Sequence, residues 1–147
     1  MPDHAATQKH PRLTVRMRAR ISTIDSETDP WTGKTFFRTS QETCANVSQG
    51  GAFVATTESI PPGRRVLLEL EIPGGRQIQA VGRIAWTRTA LAASPPAGSD
   101  GRVGIGVEFV GGPRDQRLEL EQFIARSLRR RRLADKPGSG YKAADRR

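Results

Sequence analysis

The sequence predicts an all-β domain with a C-terminal helix, and its most economical form is a six-stranded antiparallel β-barrel. Three observations lead there. Six short strand-like stretches follow one another, and four of them alternate apolar and polar residues, the period-two pattern of strands with one buried face. Clusters rich in glycine and proline separate them, so the chain turns back on itself between strands. After the last stretch the apolar residues switch to helical spacing. The 147 residues are the length of one ordinary domain.

The first strand is expected over residues 13–22, where Leu13, Val15, Met17, Ala19 and Ile21 alternate with Thr14, Arg16, Arg18, Arg20 and Ser22. Residues 25–34 (DSETDPWTGK) contain Pro30 and Gly33 and are expected to be loop. A second strand is expected over about 35–45, and Gly50-Gly51 interrupts it before Ala52-Phe53-Val54-Ala55-Thr56 resumes the pattern. Pro61-Pro62-Gly63 makes a turn. Val66, Leu68, Leu70 and Ile72 form the apolar face of a fourth strand, and Pro73-Gly74-Gly75 reverses it into a fifth. That strand carries Ile78, Ala80, Ile84 and Trp86 on even positions, which puts Trp86 in the core. The loop at 94–101 (SPPAGSDG) leads to Val103, Ile105, Val107 and Phe109. Closing six short strands on one another removes exposed edges.

Gly112-Pro113 marks a helix start, with proline at the first helical position and Asp115 in the first turn. Leu120, Phe123, Ile124 and Leu128 share one face, and Arg129, Arg130, Arg131 and Arg132 fall at the C-terminal end, where cations complement the helix dipole. Residues 1–11 are therefore expected to be a flexible N-terminal segment, 12–132 the barrel with its helix, and 133–147 a disordered basic tail.

The formal net charge is +9, from 24 Lys and Arg against 15 Asp and Glu. Residues 112–147 hold eleven basic and five acidic side chains, and so six of the nine excess charges. The body is nearly balanced. A nucleic-acid binder carries its basic face on the folded unit and stacks bases on clustered aromatics; with 5 % aromatic residues and a balanced body, this composition argues against that class. The run at 129–132 reads first as a capped helix end and second as a contact for an acidic partner, anionic lipid or, weakly, nucleic acid. The strip Arg16, Arg18, Arg20 reads as a solvated strand face. Trp31, in the Pro/Gly loop, is a candidate exposed aromatic.

No apolar run approaches the roughly 18 residues of a membrane span, and the first dozen residues lack the apolar core of an export signal. One cysteine, Cys44, excludes an internal disulfide framework and suits a reducing compartment, so the expected location is cytoplasmic. His4, His10 and Cys44 are too few for a zinc site, and neither a cofactor nor an enzyme activity is expected. No Ser/His/Asp set or carboxylate pair is spaced for catalysis. Gly104-Ile105-Gly106 lies inside a strand pattern and has no following helix with a third glycine, so it is not a dinucleotide fingerprint.

The most informative element is Asn46-Val47-Ser48-Gln49-Gly50-Gly51. By itself it is a tight turn in which Asn and Ser bond to backbone and glycines permit positive φ. Around it stand Pro11-Arg12 before the first strand, Ala52-Phe53-Val54 after the turn, Pro62 and Val66, Gly82-Arg83-Ile84-Ala85-Trp86, and Gly104-Ile105-Gly106-Val107-Glu108-Phe109. Over about residues 8–130 this order resembles the PilZ family of bacterial cyclic di-GMP receptor domains.

The resemblance implies a six-stranded barrel with a C-terminal helix. It also implies a ligand site made of an Arg-x-x-x-Arg element before the first strand and an Asn/Asp-x-Ser-x-x-Gly box. An arginine fork suits both phosphate and the O6 and N7 acceptors of guanine. Here the second family arginine falls on Arg12 and the first on Gln8, with Lys9 beside it offering a charge without a planar fork. Arg12 and Arg16 satisfy the spacing formally, but Arg16 shares the outward parity of the first strand. The implied ligand residues are Gln8, Lys9, Arg12, Asn46, Ser48, Gly50 and Gly51. The implied function is a receptor that relays cyclic di-GMP to an unidentified protein partner. The replacement at Gln8 supports a second reading, a protein-interaction adaptor of the same fold that does not bind the ligand.

Overall fold

A computed structural model describes residues 11–89 and 103–135. Its strands are β1 (Leu13–Thr23), β2 (Glu27–Thr28), β3 (Thr35–Phe36), β4 (Thr39–Val47), β5 (Gly51–Ala55), β6 (Arg65–Glu71), β7 (Gln77–Arg88) and β8 (Gly104–Gly111), followed by the helix α1 (Arg114–Asp135). Six strands close an antiparallel barrel in the order β1-β4-β5-β8-β7-β6, with β6 paired back onto β1. The expected loop at 25–34 holds the two-residue strand β2, which pairs with β3 just beyond it, and the second barrel strand starts at Thr39 rather than near 35. Short strands of two residues leave no periodic signal to read.

The alternation decides which side chains meet inside. Leu13, Met17, Ala19 and Ile21 from β1 pack with Val66, Leu68 and Leu70 from β6, Ile78 and Ile84 from β7, and Ile105 and Val107 from β8. Arg16, Arg18 and Arg20 stand on the outer face, where Arg20 faces its strand partner Glu69 at 3.8 Å and Arg18 faces Glu71 at the same distance. Leu120 and Ile124 of α1 are buried in the same core, with Phe123 and Leu128 half-buried against it. The helical stripe thus docks on the barrel.

Pro113 precedes the helix rather than opening it, and its carbonyl accepts the Arg117 N–H at 3.0 Å. The helix continues through Asp135, three residues beyond the expected boundary at 132. Arg76 in the β6–β7 turn reaches Asp115 and Glu119, and Arg131 donates to the Thr14 carbonyl at 2.7 Å, so both ends of α1 are tied to the barrel. The expected N-terminal segment up to residue 10, the loop at 94–101 and the tail from 136 onward lie outside the described residues.

One expectation fails. Ile84 pairs with Val107 but Trp86 pairs with Gly106, so β7 advances two residues while β8 advances one. Such a bulge inverts the facing of everything beyond it. Trp86 is carried to the outer surface, half-buried, where it stacks on Phe53 with ring centroids 5.5 Å apart. Thr87, the next residue, donates its hydroxyl to the Ile60 carbonyl at 2.6 Å.

Candidate ligand site

The end of β4 breaks the alternation. Cys44, Ala45, Asn46, Val47 and Ser48 are all buried, because a register shift between Cys44 and Asn46 against β5 accompanies one between Thr14 and Met17 in β1. The Asn46 carboxamide is 7 % exposed and its Oδ1 accepts a hydrogen bond from Arg12 Nη1 at 2.7 Å. Arg12 itself is exposed. Below this contact the Cys44 thiol donates to the Asn46 carbonyl at 3.3 Å, and burial pushes its pKa up to about 12.

Ser48 closes the turn that follows. Its N–H donates to the Gly51 carbonyl at 2.8 Å, while its Oγ accepts the Gly50 N–H at 3.1 Å. The Gly50 carbonyl in turn accepts the Phe109 N–H at 2.9 Å, fixing the turn to β8. Neither Gly50 nor Gly51 has positive φ, contrary to the sequence expectation. Gly51 is required for a different reason: a β-carbon there would overlap the Val107 carbonyl oxygen across the β5–β8 pairing. Close strand approach, not turn geometry, demands the missing side chain.

The turn borders an open cleft of about 630 Å³. Arg12 lines it together with Ser48, Gly50 and Gly51; Trp86 and Glu108 come from the outer faces of β7 and β8; and Arg117 and Glu121 come from α1. Four of the seven residues singled out in the sequence therefore line one cleft. Asn46 joins them through its bond to Arg12. Gln8 and Lys9 lie outside the described residues. Arg16 lines a separate cleft of about 730 Å³ with Arg18, Gln41 and Glu42, in which neither Arg12 nor the 48–51 turn takes part. Arg16 is exposed on the outer face of β1, as its parity in the strand implies.

Sequence reasoning missed Trp86, Glu108, Arg117 and Glu121. The bulge that turns Trp86 outward depends on β8 pairing and has no local signature. Arg117 and Glu121 share a helix face at i, i+4 spacing, but which surface that face meets is decided only when α1 docks. Trp31 is 92 % exposed, as its loop position suggested, and it lies on the β2–β3 hairpin rather than in this cleft.

Comparison with known proteins supplies a family and a fold. The family model described as PilZ domain matches residues 6–126. No curated protein matches the chain. Among solved structures, the Bacillus subtilis inhibitor of motility, MotI/DgrA, superimposes with a TM-score of 0.59 at 16 % identity, covering 88 % of this chain and 52 % of that one. The chain thus spans about half the length of that protein. The PilZ domain of YcgR from Escherichia coli, solved with c-di-GMP, superimposes with a TM-score of 0.52 at 14 % identity, covering 88 % of this chain and 98 % of that one. At such identities the likeness is one of fold.

Proposed function

Because the chain belongs to the PilZ domain family, we propose that it is a cyclic di-GMP receptor that relays the second messenger to a protein partner. The observation that carries this reading is the Arg12–Asn46 hydrogen bond at the rim of the cleft. It joins the segment before the first strand to the Asn-x-Ser-x-x-Gly turn. An arginine held in place by a buried carboxamide loses less freedom on binding, which is the energetic meaning of preorganisation. Arg12 then offers a planar fork to phosphate or to guanine O6 and N7. The glycine-bordered turn lets a ligand approach the backbone closely. The YcgR structure, solved with c-di-GMP on the same fold, supports the choice of ligand.

Gln8 favours a second reading. It stands where the family motif has its first arginine, and an amide has neither the charge nor the fork of guanidinium. On that reading the barrel is an adaptor that binds its protein partner without the nucleotide.

Calorimetric titration of cyclic di-GMP into the full chain separates the two. A charge-assisted hydrogen bond contributes about 1.5–3 kcal/mol, so Arg12→Ala and Asn46→Ala are each expected to weaken binding roughly 10- to 150-fold. Arg16→Ala is expected to leave it unchanged. Absence of saturable binding up to about 100 micromolar ligand, an affinity of only about 5.5 kcal/mol, overturns the receptor reading in favour of the adaptor.

A further inference from the structure

We propose that Arg117 of α1 is a second guanidinium of this ligand site, so that the helix supplies an anion contact where the N-terminal motif carries Gln8. The inference rests on reading the cleft as the cyclic di-GMP site.

Arg117 lines the cleft together with Arg12 and the 48–51 turn. Its position is anchored on both sides along the chain. Gln116 accepts the Gln79 N–H at 2.6 Å, and Leu120 is buried in the barrel core. A helix pinned one residue before and three residues after Arg117 holds its backbone in place on the barrel. Arg38, Arg65, Arg76 and Arg131 are each engaged in hydrogen bonds or ion pairs that hold elements together. The side chain of half-buried Arg117 makes no such bond among the described residues. Among the described residues the exposed Arg16, Arg83, Arg114 and Arg126 also make no side-chain bond; Arg117 differs from them in being half-buried and in lining this cleft. Its five N–H donors are therefore available to the cleft.

The surrounding charges narrow the ligand class. Glu108 and Glu121 line the same cleft, so two carboxylates offset the two guanidiniums and the cleft is no general sink for anions. Binding there has to come from matched donors and acceptors rather than from net field. A guanine nucleotide has both: phosphate oxygens, O6 and N7 accept from the arginines, while the exocyclic amine donates to a carboxylate. A dinucleotide with two phosphates can engage two separate guanidiniums at once, which one arginine cannot accomplish alone.

The test is titration of cyclic di-GMP into the full chain and its variants at one ionic strength, with a thermal melt of each. Arg117→Ala is expected to weaken binding about 10- to 100-fold. Arg126→Ala removes the same charge from an exposed position of the same helix and is expected to change affinity by less than about twofold. Should Arg117→Ala lower the melting temperature, Arg117→Gln retains the packing stem and carries the comparison. Wild-type binding left intact by both Arg117 variants overturns the helix contact while leaving the receptor reading standing. An equal loss in Arg126→Ala also overturns it, because the effect is then long-range charge. No binding by the wild type overturns the receptor reading itself, and the helix contact with it.

Discussion

The Trp86 indole lies across Gly106, its partner on β8, so closely that a β-carbon at position 106 would overlap three atoms of the ring. The same ring stacks on Phe53, which also pairs with Gly106 from the other side. Three neighbouring strands thus share one aromatic layer outside the barrel, and glycine is what makes room for it. Phe53 is buried without belonging to the inner core because this layer covers it.

Gly106→Ala is accordingly expected to destabilise the domain by about 1–3 kcal/mol, the usual cost of overpacking. Urea unfolding measures the loss. In a Trp31→Phe background, where Trp86 is the one remaining indole, the emission is expected to shift to longer wavelength as the ring is pushed into solvent. Unchanged stability together with unchanged emission refutes the stacking arrangement.

Arg38 holds the β2–β3 hairpin to the barrel. It donates to both oxygens of buried Glu27 at 2.7 and 2.8 Å and to Glu58 at 3.1 Å. Removing it leaves a buried carboxylate without its fork, so Arg38→Ala is expected to cost about 2–4 kcal/mol. Hydrogen exchange is expected to accelerate first at residues 24–37. Uniform acceleration over the whole barrel argues against a local latch.

Cys44 is expected to be silent to thiol reagents in the folded protein near pH 8 and to react once urea unfolds it, because the thiolate is the reactive form. Burial holds the folded thiol protonated up to about 12, against an ordinary value of 9.0. Between those values the folded state binds a proton that the unfolded chain has lost. Stability therefore falls as pH rises through this window, by up to about 1.4 kcal/mol per unit, and Cys44→Ala flattens that part of the profile. An identical slope in the variant disproves the assignment.

Ile124 fastens α1 to the barrel, and Ile124→Ala is expected to lower stability by about 2–4 kcal/mol. Arg130→Ala, at an exposed position of the same helix, is expected to stay within about 0.5 kcal/mol. Thermal unfolding of the pair distinguishes a docked stripe from a helix that merely adjoins the barrel.

The barrel and its helix were legible because their signals are local. Leu13 to Ile21, Val66 to Ile72 and Leu120 to Leu128 announce their geometry within a few turns of chain, as does the Asn46 to Gly51 turn. The +9 charge was legible too, once divided between a balanced body and a basic end. What Trp86 and Gly51 do was not. A bulge inverts the facing of every later residue in its strand, and only pairing with β8, some 20 residues further along, decides that one occurs. Arg117 belongs to the same class: its spacing on the helix was readable, but that it lines the same cleft as Arg12 depends on α1 docking on the barrel. Periodicity assigns each residue to a face of its own element. Which faces then come together is settled by packing among distant segments, and in this protein that packing builds the cleft.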